Sequence, residues 1–208
     1  GAKPIFCEVN PNSFTIDIKD AESKITESTK AIMPVHYGGN IGSIEKIYKL
    51  AEKYSLRVIE DAAHAFGGLH NGERIGSFGD IVCFSFDGIK NITSGEGGCI
   101  VSSDEEILDM ARDARLLGVL GDTKKRYNSE RSWEYNVAFQ GWRYHMSDIM
   151  AAIGIAQLER FEDLSKKRKC LAKYYDKLLF DNKLVSIFSK NYDLVVPHIY
   201  PIRILNLK

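Results

Sequence analysis

Two polar residues that could together support cofactor chemistry each follow an apolar, strand-like run. Asp61 ends the run that begins at Arg57, and Lys90 follows the run at residues 81–86. In open α/β sheets, ligands bind where the carboxyl ends of the strands meet, so both side chains could reach one ligand. A lysine amine can hold an aldehyde cofactor as a Schiff base, and a carboxylate can keep a pyridine nitrogen protonated. The pair therefore predicts a site for pyridoxal 5'-phosphate (PLP).

Further polar groups surround these two residues in the sequence. Ser85 lies five residues before Lys90 and offers a hydroxyl for a phosphate oxygen, while His64 lies three residues after Asp61. The glycine-rich turn at 95–98 permits a close approach of backbone to a ligand. The ordinary alternatives are a strand-end aspartate that caps its own turn, a solvated surface lysine and a core histidine. The combination of these residues favours the cofactor site.

Weaker candidates follow other predicted elements. His36 and Tyr37 follow the strand-like run at 30–35 and would face the substrate; a loop histidine and a packed tyrosine are equally consistent with the pattern. Arg143 and His145 precede a long helix and could bind an anion near its N-terminus, Arg143 at the cofactor and His145 at the substrate. The basic cluster at 124–126 is a third source of positive charge. The sequence contains no GxGxxG or Walker A motif and no spacing typical of metal ligands.

The order of the apolar segments predicts an α/β fold. Near-continuous apolar strands alternate with amphipathic helices, a pattern typical of a largely parallel sheet covered on both faces. Ser103 and Glu106 have the spacing of a capping box at the start of one helix, and Ser147 is placed to begin another. The predicted strands cover residues 30–35, 57–60, 80–86 and 99–102, and the predicted helices cover residues 43–54, 103–117 and 147–179, the last broken once.

The chain divides into three predicted regions. Residues 1–145 form part of a large cofactor-binding domain, residues 146–180 a long connecting helical region, and residues 181–208 the beginning of a small C-terminal domain. The chain begins at Gly1 and stops shortly after a new strand-like run, so we expect a fragment of a longer protein.

Composition narrows the classes of function. The 208 residues contain 28 Lys and Arg and 28 Asp and Glu, so no overall positive charge favours nucleic acid. Apolar runs are too short to cross a membrane, so neither membrane nor nucleic acid is an expected partner. Four widely spaced cysteines are typical of reduced core residues in a cytoplasmic protein.

Three segments together resemble a known family. EDAAHAFGG at 60–68, GSFGDIVCFSFDGIKNITSGEGG at 76–98 and MSDIMAAIGIAQL at 146–158 are similar to the DegT/DnrJ/EryC1/StrS family of PLP-dependent nucleotide-sugar aminotransferases. The resemblance extends over nearly the whole chain. It implies the three-layer, mostly parallel α/β sheet of the large domain of fold type I PLP-dependent transferases.

The resemblance also implies roles for individual residues. Lys90 matches the Schiff-base lysine, Asp61 the acid at the pyridine nitrogen, His64 a group at the ring hydroxyl and Ser85 a phosphate ligand. Arg143 stands where the family usually has an asparagine that reaches the cofactor phosphate of the neighbouring subunit. The resemblance therefore implies a homodimer with shared active sites.

The implied reaction transfers an amino group from glutamate to a keto sugar carried on a nucleotide. The motif variants favour dTDP-4-keto-6-deoxyhexose, which would give a 4-amino-4,6-dideoxyhexose for a surface glycan such as lipopolysaccharide O-antigen. One alternative is a PLP-dependent sugar dehydratase, but that branch of the family has histidine where this chain has Lys90. A second alternative is a non-catalytic truncated domain.

Overall fold

A four-stranded sheet lies at the centre of the structure. The computed structural model describes residues 1–121, 136–188 and 190–205. The described helices are α1 (Ile18–Ser23), α2 (Ile44–Lys53), α3 (Glu105–Ala114), α4 (Asp148–Glu159) and α5 (Phe161–Leu179), with a 3₁₀ turn at Tyr37–Gly39. The strands are β1 (Ala31–Ile32), β2 (Arg57–Asp61), β3 (Leu69–His70), β4 (Glu73–Arg74), β5 (Ile81–Ser85), β6 (Gly98–Ser102), β7 (Val185–Ile187) and β8 (Ile202–Ile204).

The central sheet is mostly parallel, which confirms the predicted α/β fold. Its strand order is β1-β2-β5-β6, with β1, β2 and β5 parallel and β6 antiparallel to β5. A parallel return needs a crossover, usually a helix, whereas residues 86–97 between β5 and β6 form a helix-free loop. The antiparallel direction of β6 keeps that loop, which carries Lys90, at the carboxyl end of β5.

The two faces of the sheet differ in burial. Val58 and Glu60 of β2, and Val82 and Phe84 of β5, are all buried. Because side chains alternate along a strand, the intervening residues of β2 and β5 point to the opposite face, where they are only half-buried. Helix α2 covers part of the buried face with its apolar stripe, which consists of Ile44, Ile47, Leu50 and Ala51.

Helix α3 begins one residue later than a Ser103 cap requires. The Asp104 carboxylate accepts hydrogen bonds from the backbone N–H groups of Glu106 and Ile107 at 3.1 and 3.3 Å, so the predicted capping box is wrong. A carboxylate satisfies these donors and also complements the positive end of the helix dipole. The helix ends at Ala114, before Leu117, whose φ is +63°.

The predicted long helical region consists of α4 and α5. Ser147 caps α4 by accepting a hydrogen bond from the Met150 N–H at 3.3 Å, and the two helices meet at Arg160. Strands β7 and β8 form an antiparallel pair after α5. None of the helices within the described ranges has the length and apolar character needed to cross a membrane. The domain boundaries near 145 and 180 remain a prediction.

Candidate active site

Asp61 and Ser85 lie on the half-buried face of neighbouring strands. Asp61 is in register with Cys83, and Ser85 lies two residues further along β5. A strand spacing of about 4.8 Å and a rise of about 3.3 Å per residue put the Cα atoms of Asp61 and Ser85 roughly 8 Å apart. One carboxylate oxygen, Oδ1, accepts the Ala63 N–H at 3.0 Å. Among the described residues no hydrogen bond engages Oδ2, so this oxygen can accept one from a ligand.

Lys90 lies in a loop that closes on itself. Its N–H donates to the Asp87 carbonyl at 3.0 Å. Phe86 donates to the Gly97 carbonyl at 2.8 Å, and its own carbonyl accepts the Ser94 N–H at 2.9 Å. Gly97 adopts a φ of +148°, a conformation that side-chain-bearing residues rarely adopt. These bonds hold Lys90 beside the ends of β2 and β5.

His64 lies close to this lysine, and Tyr37 lies beside His64. Their ring centroids are 6.1 Å apart, and His64 Nδ1 accepts the Gly38 N–H at 3.3 Å. Burial lowers the pKa of His64, the charge of Lys90 lowers it further, and Asp61 opposes both effects. The neutral ring therefore carries its proton on Nε2. This electrostatic coupling places Asp61, His64 and Lys90 close together, and the ring contact with His64 adds Tyr37 to the cluster.

His36 is part of the core and does not face that cluster. Its side chain is fully buried, and its Nε2 lies 2.7 Å from Glu60 Oε2. The Tyr48 hydroxyl donates to the other Glu60 oxygen at 2.5 Å. The predicted substrate-binding role for His36 is therefore not supported, because its ring is committed to a buried carboxylate with no open side toward a ligand.

Two residues of the cluster were missed by the sequence interpretation. The His198 ring packs on His64 with a centroid distance of 4.3 Å. Lys190 Nζ donates to the carbonyls of Gly38 and Ile199 at 3.1 and 3.4 Å. Burial is the largest cause that lowers the pKa of His198 to about 4, and its interactions with His64 and Lys90 act in the same direction. The sequence did contain a signal for His198: it is a polar residue that follows an apolar pair, at 195–196. Asp61 was identified because it too ends an apolar run.

Arg143 and His145 are exposed, and among the described residues neither side chain forms a hydrogen bond with the cluster. The backbone of this segment follows the end of α3, where the Tyr144 N–H donates to the Arg115 carbonyl at 2.9 Å. The basic cluster at 124–126 lies outside the described residues.

The arrangement fits PLP at the level of its donor groups. Asp61 supplies a carboxylate oxygen for the ring nitrogen, Ser85 a hydroxyl for the phosphate, and Lys90 an amine. Asp61 and Ser85 lie on the half-buried face of β2 and β5, and Lys90 lies in the loop that follows β5. His64, neutral and with its Nε2 proton available, can donate a hydrogen bond to the ring hydroxyl oxygen. The ordinary role of a turn-capping aspartate is also present, but it uses only one oxygen of Asp61.

Comparison with known proteins gives matches over almost the whole chain. The profile of the DegT/DnrJ/EryC1/StrS aminotransferase family matches residues 1–207. An uncharacterized protein of Methanocaldococcus jannaschii, MJ1066, is 43% identical over 205 residues, covering 98% of this chain and 53% of MJ1066. The Bacillus subtilis spore coat polysaccharide biosynthesis protein SpsC is 39% identical over 175 residues, covering 84% of this chain and 45% of SpsC.

Solved structures show the same fold. Helicobacter pylori PseC, an aminotransferase involved in pseudoaminic acid biosynthesis, aligns with a TM-score of 0.86 at 31% identity, covering 98% of this chain and 53% of PseC. Spr1654 from Streptococcus pneumoniae, in its PMP form, aligns with a TM-score of 0.87 at 28% identity, covering 99% of this chain and 57% of Spr1654. It has also been solved in a PLP form. The chain spans about half the length of the proteins that it matches.

Proposed function

The chain belongs to the DegT/DnrJ/EryC1/StrS aminotransferase family, and we propose from this premise that it carries the PLP-binding part of a sugar aminotransferase. One observation carries the proposal. Asp61 and Ser85 lie on one face of adjacent parallel strands, and the Lys90 loop continues from the end of the second strand. Spr1654, which shares this fold, has been solved with and without an amino group on its cofactor, in PMP and PLP forms.

Each residue then has a distinct task in amino transfer. PLP, when bound, supplies an electron-withdrawing ring that stabilises negative charge at the carbon that loses its proton. The Asp61 carboxylate keeps the ring nitrogen charged, and Ser85 anchors the phosphate. Lys90 Nζ would hold the cofactor and, as a free amine, would move the proton between the substrate carbon that bears the nitrogen and the carbon of the cofactor. Neutral His64 donates its Nε2 proton without adding positive charge next to Lys90.

We further propose the substrates. Glutamate is the amino donor, and dTDP-4-keto-6-deoxyhexose is the acceptor, which gives a 4-amino-4,6-dideoxyhexose for surface glycans such as lipopolysaccharide O-antigen. The motif variants at 85–98 and 141–147 support a 4-keto sugar. The names of SpsC and PseC, a polysaccharide biosynthesis protein and a sugar-acid pathway aminotransferase, support the glycan context.

A homodimer with shared active sites is part of this proposal. Arg143 and His145 are exposed, and exposed apolar side chains lie near them in the sequence, among them Trp142, Tyr144 and Ile149. A dimer would bury that surface and bring Arg143 to the partner's cofactor phosphate and His145 to its substrate. We also propose a cytoplasmic location, because all four cysteines are unpaired thiols.

A product assay tests the proposed reaction. The protein loaded with PLP is incubated with glutamate and either dTDP-4-keto-6-deoxyglucose or a UDP-linked 4-keto sugar, and amino sugars are detected by mass spectrometry. The proposal predicts an amino sugar from the dTDP substrate that disappears in Lys90→Ala. If PLP binds but only simple keto acids are aminated, the substrate class is wrong. If PLP does not bind Lys90, the chain is a non-catalytic domain.

A further inference from the structure

Arg168, on helix α5, bridges the backbone of two residues of the candidate site. Its Nη2 donates to the Lys90 carbonyl at 3.2 Å, and its Nη1 donates to the His198 carbonyl at 3.3 Å. The guanidinium is a rigid planar fork, so one side chain fixes the separation of the two carbonyls that it binds. The Lys90 loop and the segment that carries His198 are thereby held at a set distance.

The neighbouring residue, Asn91, provides a second and independent anchor for the same loop. Asn91 is 4% exposed, and its Nδ2 donates to the carbonyls of Phe66 and Val196 at 3.3 and 3.0 Å. Because Asn91 remains attached when Arg168 is removed, the loop stays docked. Loss of Arg168 would therefore free the peptide of Lys90 and that of His198 without detaching the whole loop.

The charge of Arg168 is directed to these carbonyls and not to an acid. No carboxylate in the described ranges comes within 4.0 Å of its guanidinium. Its positive charge is one of the causes that lower the pKa of His198, after burial, His64 and Lys90. A cation placed here favours a neutral His198 ring, which can stack on His64 without charge repulsion.

We propose that Arg168 is a positioning residue that holds Lys90 at a fixed distance from His198 for amino transfer. The inference rests on the proposed function, since it assigns Arg168 a task only if Lys90 is the residue that binds PLP. Arg168 is not expected to touch either the cofactor or the substrate. It acts on the main chain of the residues that do.

The test compares Arg168→Met and Arg168→Lys with Lys167→Met, the exposed adjacent position on the same helix. The rate of PLP attachment to Lys90 is measured without substrate, by borohydride reduction at timed intervals and peptide mass spectrometry. A misplaced amine should slow attachment in Arg168→Met by roughly 10- to 100-fold. Arg168→Lys should be intermediate, because an ammonium can reach only one of the two carbonyls. Lys167→Met should match the wild type.

A second readout separates positioning from a general loss of structure. The pKa of His198, followed by NMR of the imidazole, should rise in Arg168→Met and stay low in Arg168→Lys, which keeps the charge. Wild-type attachment rates and unchanged His198 titration in Arg168→Met overturn the inference. If Arg168→Met does not fold, a folded Arg168→Lys that attaches PLP at the wild-type rate overturns it instead. Failure of the wild type to label Lys90 contradicts the proposed function itself.

Discussion

His64 and His198 stack on each other with ring centroids 4.3 Å apart and an angle of 39° between the ring planes. His64 follows β2, and His198 comes from the segment before β8 near the other end of the chain. The stack therefore joins the rim of the sheet to the C-terminal region. Lys90 and Lys190 contribute positive charge to the same place, so a proton added to either ring meets like charges on several sides.

The stability of the protein should fall as His198 is forced to take up a proton. The folded-state pKa is lowered to about 4 from the ordinary value of 6.5, so the unfolded chain binds the proton first. The contribution of His198 to the free energy of unfolding is then complete above pH 6.5 and declines as the pH falls toward 4. We expect a decline of about 1–2 kcal/mol, less than the full pKa difference implies, because solvent reaches part of the ring.

Urea unfolding at several pH values measures this effect. His198→Gln should reduce the decline between pH 6.5 and 4, leaving the part that His64 contributes, whereas His145→Gln, which removes an exposed imidazole, should keep the full decline. Parallel pH profiles for the wild type and His198→Gln would show that the burial of His198 carries no such cost.

Asp61→Asn should weaken the binding of PLP. The substitution keeps the shape of the side chain and its turn with Ala63, but removes the charge opposite the ring nitrogen. Loss of one charge-assisted hydrogen bond costs about 1.5–3 kcal/mol, and turnover should fall further because the ring nitrogen is no longer held charged. Fluorescence titration with PLP gives the affinity, with Asp163→Asn on the exposed side of α5 as the control. Near-normal turnover at full PLP occupancy would rule out the assigned role.

Glu60→Ala should lower the free energy of unfolding and leave substrate affinity unchanged. Glu60 is 1% exposed and binds both His36 and the Tyr48 hydroxyl, so its removal leaves the buried His36 Nε2 without a partner and takes one of the two hydrogen bonds from the Tyr48 hydroxyl. Breaking such a buried pair costs about 3–5 kcal/mol. Urea unfolding provides the measurement, and Glu73→Ala on the exposed strand β4 should change the free energy of unfolding by less than about 0.5 kcal/mol. A loss below 1 kcal/mol for Glu60→Ala would mean that the pair is not a structural anchor.

Mixed dimers should recover activity that each parent variant lacks. A Lys90→Ala chain keeps its Arg143, and an Arg143→Ala chain keeps its Lys90, so a heterodimer contains one site with both residues if the site is shared. Differently tagged variants are co-purified as heterodimers, and amino-sugar formation is compared with that of each homodimer. If the heterodimer is no more active than either homodimer, Arg143 either acts on the cofactor of its own subunit or does not act at the site.

The sequence predicted the parts of the site that depend on local order. Asp61, Ser85 and Lys90 follow apolar strands, and strand ends can be read from composition and alternation. The same reasoning misplaced the start of α3 by one residue, because Ser103 and Asp104 are both good caps and only the folded backbone selects between them.

Contacts between residues that are far apart in the sequence could not be predicted from local patterns. The burial of His36 depends on Glu60, which reaches it only after two strands pair. Lys190 and Arg168 act through side-chain bonds to backbone carbonyls of distant segments, and no local pattern distinguishes them from solvated surface cations. His198 joins the site through the packing of the C-terminal segment against His64.

Borohydride reduction of the PLP-loaded protein tests the central assignment most directly, because the site contains a rival amine. Lys190 is half-buried, and burial lowers its pKa, which favours a nucleophilic free base. We predict that the pyridoxyl group appears on Lys90, persists in Lys190→Ala and is lost in Lys90→Ala. Labelling of Lys190 or of any other lysine in the wild type, with Lys90 unmodified, would contradict it.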